Sequence, residues 1–282
     1  VTAGAAGAAG AAGAAGAAGA AALVTAVAAP VEVTRDGQVA VIEMRRPPAN
    51  FFDEDLIGGI VDAAAAFDDD PDCRAIVLCS QGRHFCAGAD FSGAGDFGTD
   101  KSAAAGRVYR RAAQLFDVRT PLIAAVQGAA VGGGLGLACA ADFRVADPST
   151  RFVASFSRLG THQGFGLSVT LPAIVGPQVA ADLLYRGATV RGTEAVQLGL
   201  ADRLAEPGEQ RAAAIAWGHE IAAAAPLAVA SIRQTLRAGL ADRVRSALER
   251  ELAEQTRLWA TADSDEGIQA SLDRRTPSFT GR

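Results

Sequence analysis

Apolar and polar positions alternate over Val31–Arg35, apolar residues dominate Gln38–Met44, and Asp36–Gly37 sits between the two runs. β-Branched residues on either side of Asp-Gly predict a β-hairpin. Asp53 can then cap a helix whose apolar positions Leu56, Ile57, Ile60 and Val61 share one face and which ends near Phe67. Arg74–Ser80 reads as a short buried strand, residues 82–100 as a long Gly- and Asp-rich loop, and Lys101–Asp117 as a helix. Leu122–Val126 is the next strand. A glycine-rich turn follows it into a helix over about 134–140, with strands near 142–146 and 151–153. Beyond residue 166 helical spacing dominates, over 177–186, 192–199, 208–224, 226–238, 241–261 and 264–275. Asp263 and Glu266 form a capping-box variant for the last of these. Strands alternating with helices place the body in the α/β class, with a helical C-terminal region from about 206.

Residues 1–29 do not fit this pattern. Gly4, Gly7, Gly10, Gly13, Gly16 and Gly19 recur every third residue with Ala between them, but no proline accompanies them, which excludes a collagen-like helix. The stretch has neither the basic start and apolar centre of a secretory signal nor the arginines of a transit peptide. Its large apolar side chains are too few for a membrane span. The expectation is a disordered tail over 1–29, a body over 30–205 and a helical region over 206–282.

Composition narrows the function classes. A net charge of −5 and a pI near 5.3 argue against a basic nucleic-acid-binding surface. Cys73, Cys79, Cys86 and Cys139 form no Cys-x-x-Cys pair and no Cys–His cluster, so zinc and dithiol chemistry lack a basis. Reduced thiols in a cytoplasm are expected, with no metal, no membrane and no nucleic acid as partner.

Two segments have a composition suited to chemistry. His84-Phe85-Cys86-Ala87-Gly88-Ala89-Asp90 follows one predicted strand directly. Gln127–Ala138, with Gly132-Gly133-Gly134 inside it, follows another and runs into a helix. Small residues let backbone N–H groups approach a ligand closely, and a helix N-terminus adds free donors and partial positive charge. A phosphate loop is excluded because no Lys follows the glycines, and a dinucleotide fingerprint lacks its third small residue at Leu137.

At these residues the chain resembles the crotonase superfamily, the enoyl-CoA hydratase/isomerase family. The resemblance rests on Arg46-Pro47-Pro48-Ala49-Asn50, on Ala87-Gly88-Ala89-Asp90, on Pro121–Gly128 with Gly132-Gly133-Gly134, and on Ala225–Val229. Asp263-x-x-Glu266-Gly267 with Arg275–Arg282 completes it, so that it spans about 31–282. It implies a spiral core of ββα units and a helical C-terminal trimerisation region, assembled as a homotrimer or a dimer of trimers. The implied ligand is an acyl-CoA thioester, with coenzyme A part of the substrate and no separate cofactor. The N–H groups of Ala89 and Gly133 would hold the thioester oxygen. Pro48, Ala49, Ala87, Asp90, Phe91, Gly132, Phe156 and Gly164 would surround the substrate.

The departures from the family pattern bear on the reaction. Its hydratases carry two catalytic glutamates, and the matching positions here are Gly136 and Phe156, neither of which transfers a proton. A positioned acid or base contributes roughly 10²–10⁴ in rate, so ordinary hydration is expected to be nearly lost. His162, two residues before Gly164, is either a substitute acid/base or a surface imidazole on a turn. Asp96, on the loop that borders the acyl pocket in the family, is either a substitute or a solvated loop carboxylate. A non-catalytic acyl-CoA-binding homologue is the alternative function.

Overall fold

A computed structural model describes residues 30–93 and 96–282, Asp96 by its backbone alone; the tail expectation for residues 1–29 lies outside these. The first half of the chain runs β1 (Val31–Asp36), β2 (Val39–Met44), α1 (Glu54–Asp68), β3 (Ala75–Ser80), α2 (Asp96–Thr99), α3 (Lys101–Ala112), β4 (Leu122–Val126), β5 (Ala129–Val131) and α4 (Gly133–Ala140). It continues with β6 (Phe143–Ala146), β7 (Arg151–Val153), α5 (Leu167–Val175), α6 (Pro177–Arg186), β8 (Thr189–Arg191), α7 (Gly192–Gln197) and β9 (Arg203–Leu204). Four helices close it: α8 (Gln210–Ala222), α9 (Pro226–Leu236), α10 (Leu240–Leu258) and α11 (Ala262–Leu272).

Six strands form the main sheet in the order β1-β2-β3-β4-β6-β9, antiparallel only between β1 and β2. The strands β2, β3 and β4 are buried along their whole length, as a parallel sheet covered on both faces requires. One face carries the large core with Leu56, Ile60, Leu78, Leu115 and Leu135. Across the other face lies α8, with Ala214 among Val39, Val77, Ile123 and Val145 and with Trp217 and Ile221 beside them. Of the helices past residue 206, α8 is therefore part of the sheet's packing, while α9, α10 and α11 follow it. A second, smaller sheet has the order β5-β7-β8.

Several local expectations are corrected. Asp36 pairs directly with Val39, so the hairpin turns on Gly37 and Gln38 rather than on Asp36 and Gly37, and Gly37 takes the positive φ of 57°. The last helix is capped by Thr261, whose Oγ1 accepts from the Ser264 N–H at 3.2 Å. The carboxylate of Asp263 instead accepts from the N–H groups of Thr280 and Gly281, and Glu266 pairs with Arg275 at 2.6 Å. Both acids thus tie the C-terminal residues back onto α11.

Helix α5 has no side-chain cap of its own and contains Pro172. Glu251 of α10, wholly buried, supplies the cap by accepting from the N–H groups of Gly166 and Ser168 at 2.8 and 2.9 Å. A carboxylate at a helix N-terminus is favoured by the macrodipole. Burial still pushes this carboxyl above its usual range, against those hydrogen bonds. Among the described residues no single helix is long and apolar enough to cross a membrane.

Candidate active site

The adjacent parallel strands β3 and β4 both end at the same edge of the sheet, so the two loops singled out in the sequence emerge side by side. Phe85 N–H donates to the Gln127 carbonyl at 2.8 Å, Cys86 N–H to Ala129 at 3.1 Å, and Val131 N–H back to Cys86 at 2.9 Å. A third segment clamps the first loop. Ala87 N–H donates to the Ala49 carbonyl at 2.9 Å, and Phe52 N–H to Gly88 at 3.0 Å. Asn50, fully buried, donates through Nδ2 to the carbonyls of Gln81 and His84 and accepts from Arg46 N–H. Pro48 accepts from Arg83 N–H at 3.3 Å. Pro48 and Ala49 therefore act on the loop's backbone and do not line the cavity described next.

Glycine is required at two turns. Gly88 has φ +89°, and a Cβ there would stand 2.8 Å from the Val131 carbonyl oxygen. Gly132 has φ +55° and delivers Gly133 as the first residue of α4. The N–H of a first helical residue has no intrahelical acceptor. Among the described residues the N–H groups of Ala89 and Gly133 donate to no protein oxygen, and both residues line one cavity of about 370 Å³.

Aromatic rings form part of that cavity's lining, beside small and aliphatic residues such as Ala87, Val131, Val153 and Leu159. Phe52 meets Phe97 edge-on at 5.9 Å, Phe97 meets Phe91 likewise, and Phe156, Tyr109 and Trp259 complete the aromatic part. Ala87, Asp90 and Gly132 also line the cavity. Asp90 is the one carboxylate side chain on the wall among the described residues, and its Oδ1 accepts from Ser92 N–H at 2.9 Å. The phenol of Tyr109 donates to Gln255 at 2.8 Å, and burial followed by the nearby charge of Glu251 pushes it above its ordinary range. The thiol of Cys86 is pushed up to about 12 by burial and stays protonated at neutral pH.

Other candidates stand apart. The half-buried His162 ring keeps Nδ1 2.8 Å from the Gln163 carbonyl and does not line the cavity. Gly164 lies behind the Tyr109 phenol, whose oxygen is 1.9 Å from where a Cβ would sit. The side chain of Asp96 lies outside the described residues. Arg233 of α9 is buried and bonded to Asp142 at 2.8 Å and to the Val118 carbonyl. Gly136 faces Phe165: a Cβ at 136 would be 2.5 Å from the Phe165 Cβ. Phe165 also packs against Phe52 and Tyr109, so its ring fills the space between α4 and the cavity wall.

Sequence reasoning missed Tyr109, Gln255, Trp259 and Ile268 on the wall. Tyr109 does carry a sequence signal, as an aromatic residue among the small apolar positions of the helix predicted over Lys101–Asp117. The other three come from α10, its C-terminal end and α11, which only tertiary packing brings to the cavity.

The chain is similar to known proteins along most of its length. The family model described as enoyl-CoA hydratase/isomerase matches residues 34–282. A probable enoyl-CoA hydratase of Mycobacterium tuberculosis is 33% identical over 255 residues, covering 89% of this chain and 97% of that protein. A crotonyl-CoA hydratase of Syntrophomonas wolfei is 30% identical over 251 residues, covering 88% and 96%. The crystal structure of an enoyl-CoA hydratase from Mycobacterium avium subsp. paratuberculosis superposes with a TM-score of 0.77 at 27% identity, covering 89% of this chain and 99% of that one.

Proposed function

From the premise that the chain belongs to the enoyl-CoA hydratase/isomerase family, we propose that it binds an acyl-CoA thioester and stabilises negative charge on the thioester oxygen. The N–H groups of Ala89 and Gly133 are the donors in this reading. The observation that carries it is the pair of unpartnered N–H groups on one apolar cavity wall. Donors fixed in a water-poor site need no reorganisation when charge develops, and removing one typically costs about 10²–10³ in rate.

The reaction is an enolate-forming one rather than ordinary hydration. Gly136 and Phe156 occupy the positions of the family's two glutamates, and the described wall offers Asp90 as its carboxylate and a phenol committed to Gln255. A second reading, thioester binding without turnover, is favoured by the Phe165 ring seated against Gly136. The assembly that goes with either reading is a homotrimer or a dimer of trimers. The exposed Ile232 and Leu236, one turn apart on α9, offer it apolar surface to bury.

A panel of acyl- and enoyl-CoA thioesters, assayed for affinity by calorimetry and for turnover, tests the proposal. Butyryl-CoA is expected to bind and butyrate to bind poorly, with crotonyl-CoA hydration far below an ordinary enzyme rate of about 10 s⁻¹. Equal affinity for the thioester and the free acid would sink the proposal. Fast hydration would sink the assignment of Gly136 and Phe156. Binding with no turnover across the panel selects the second reading.

A further inference from the structure

A second cavity, of about 570 Å³, lies at the other end of the small sheet. Val131 and Val153, at the last positions of β5 and β7, face the acyl cavity, whereas Arg151, at the first position of β7, lines this one. The two cavities share no lining residue.

Arg151 stands directly opposite Arg191 in the antiparallel β7–β8 pair, so their side chains leave the same face of the sheet. Both arginines line the cavity, and Arg83 joins them from the loop after β3. Like charges directly opposite in a sheet destabilise it. The chain supplies acids elsewhere, as in Arg144–Asp202 at 2.8 Å and Arg275–Glu266 at 2.6 Å. Among the described residues none of Arg83, Arg151 and Arg191 has an ion pair or a side-chain hydrogen bond. The carboxylate on this wall, Asp147, is already engaged by the N–H groups of Ser149, Thr150 and Gly208 at 2.7, 3.0 and 3.3 Å.

Two further polar groups on the wall have no partner. Gln210 is 5% exposed and its Oε1 accepts nothing. His84 Nδ1 is buried without a bond, and burial with the charges of Arg151 and Arg83 holds its imidazole below the ordinary range, which favours the neutral ring. Three guanidinium donors and a buried acceptor match an anion that carries its own O–H. Arginine suits such an oxyanion because its planar fork of donors meets two oxygens at once.

We propose that this cavity is a binding site for a phosphate-class anion, held by Arg83, Arg151 and Arg191, with Gln210 accepting from a protonated phosphate oxygen. The site stands independently of the thioester reading, since none of its residues lines the acyl cavity.

Inorganic phosphate titrated into the full-length protein tests this, by calorimetry and by thermal melting. Wild-type protein should bind phosphate and melt higher in its presence, because a ligand that binds the folded state stabilises it. Arg151→Gln/Arg191→Gln should bind at least about tenfold more weakly, the loss expected from one charge-assisted contact alone. Its melting temperature without phosphate should not fall, because the like-charged pair is gone. Arg83→Gln, on a loop outside the sheet, serves as the second variant and should also weaken binding. Repeating the phosphate titration with saturating coenzyme A distinguishes the source. Displacement assigns the anion to a CoA phosphate, and undiminished binding assigns it to a free phosphate or monoester; both keep the site. Phosphate binding absent from wild type, or equal in all variants, would overturn it. So would a variant that changes only the subunit count in sedimentation, which would make the arginines a contact between copies of the chain.

Discussion

Gly133→Pro in a Phe52→Leu background is expected to lower thioester turnover by about 10²–10³-fold, or thioester affinity by a similar factor if the protein only binds. Proline removes the N–H that the proposal places on the thioester oxygen. It fits the first helical position, where that N–H has no intrahelical partner to lose. The background substitution is needed because a Cβ at Gly133 would stand 2.3 and 2.5 Å from Cε1 and Cζ of Phe52. The crowding at this glycine is thus against the Phe52 ring. Leucine lacks those two ring atoms, so the background clears the space. Phe52→Leu/Gly133→Ala adds the β-carbon, keeps the N–H, and should retain most of the activity of Phe52→Leu alone. If the alanine and proline variants are equally impaired while folded, the N–H is not the working group.

Gly136→Glu is expected to destabilise the fold rather than restore a hydratase. The new side chain would start 2.5 Å from the Phe165 Cβ and 3.0 Å from its Cγ, at a buried position. Overpacking at roughly 1–3 kcal/mol and an unpaired buried carboxyl at roughly 1–3 kcal/mol together amount to about 2–6 kcal/mol. Phe165 carries a φ of 60°, a left-handed conformation that costs a non-glycine residue about 1–2 kcal/mol. Phe165→Gly relieves that cost and clears the space, while losing a buried ring at about 3–5 kcal/mol. Combined with Gly136→Glu it should destabilise much less than the two single changes summed, because they share one volume. Melting temperatures of the two singles and the double decide this. Additive losses would show that Phe165 is not what excludes the glutamate. Crotonyl-CoA hydration is expected to rise in Gly136→Glu/Phe156→Glu/Phe165→Gly and not in Gly136→Glu/Phe156→Glu.

The parts legible in the sequence are those whose physics is local. The hairpin, the Asp53 cap, the strand over 122–126 and the helix after the triple glycine follow from short-range patterning. Helix α5 was hidden because its start is glycine, its interior holds Pro172, and its cap comes from Glu251 far along the chain. The strands β5, inside the segment that reads as a glycine-rich turn, and β8 and β9, of three and two residues between helices, are not legible, although the equally short β7 is. At the site, the two donor loops are visible as small-residue runs, while the far wall needs α3, α10 and α11 to converge. Phe165 carries no sequence signal, since its effect comes from a left-handed turn between two glycines pressed against α4.

The central claim is that the thioester oxygen sits between the N–H groups of Ala89 and Gly133. Infrared difference spectroscopy of bound butyryl-CoA labelled with carbon-13 at its carbonyl reads that oxygen directly. Two hydrogen bonds polarise the carbonyl, so its stretch should move to lower frequency on binding and move back toward the free value in Phe52→Leu/Gly133→Pro. A bound ligand whose carbonyl absorbs at the frequency of the free thioester in water, or at the same frequency in both proteins, would contradict the account.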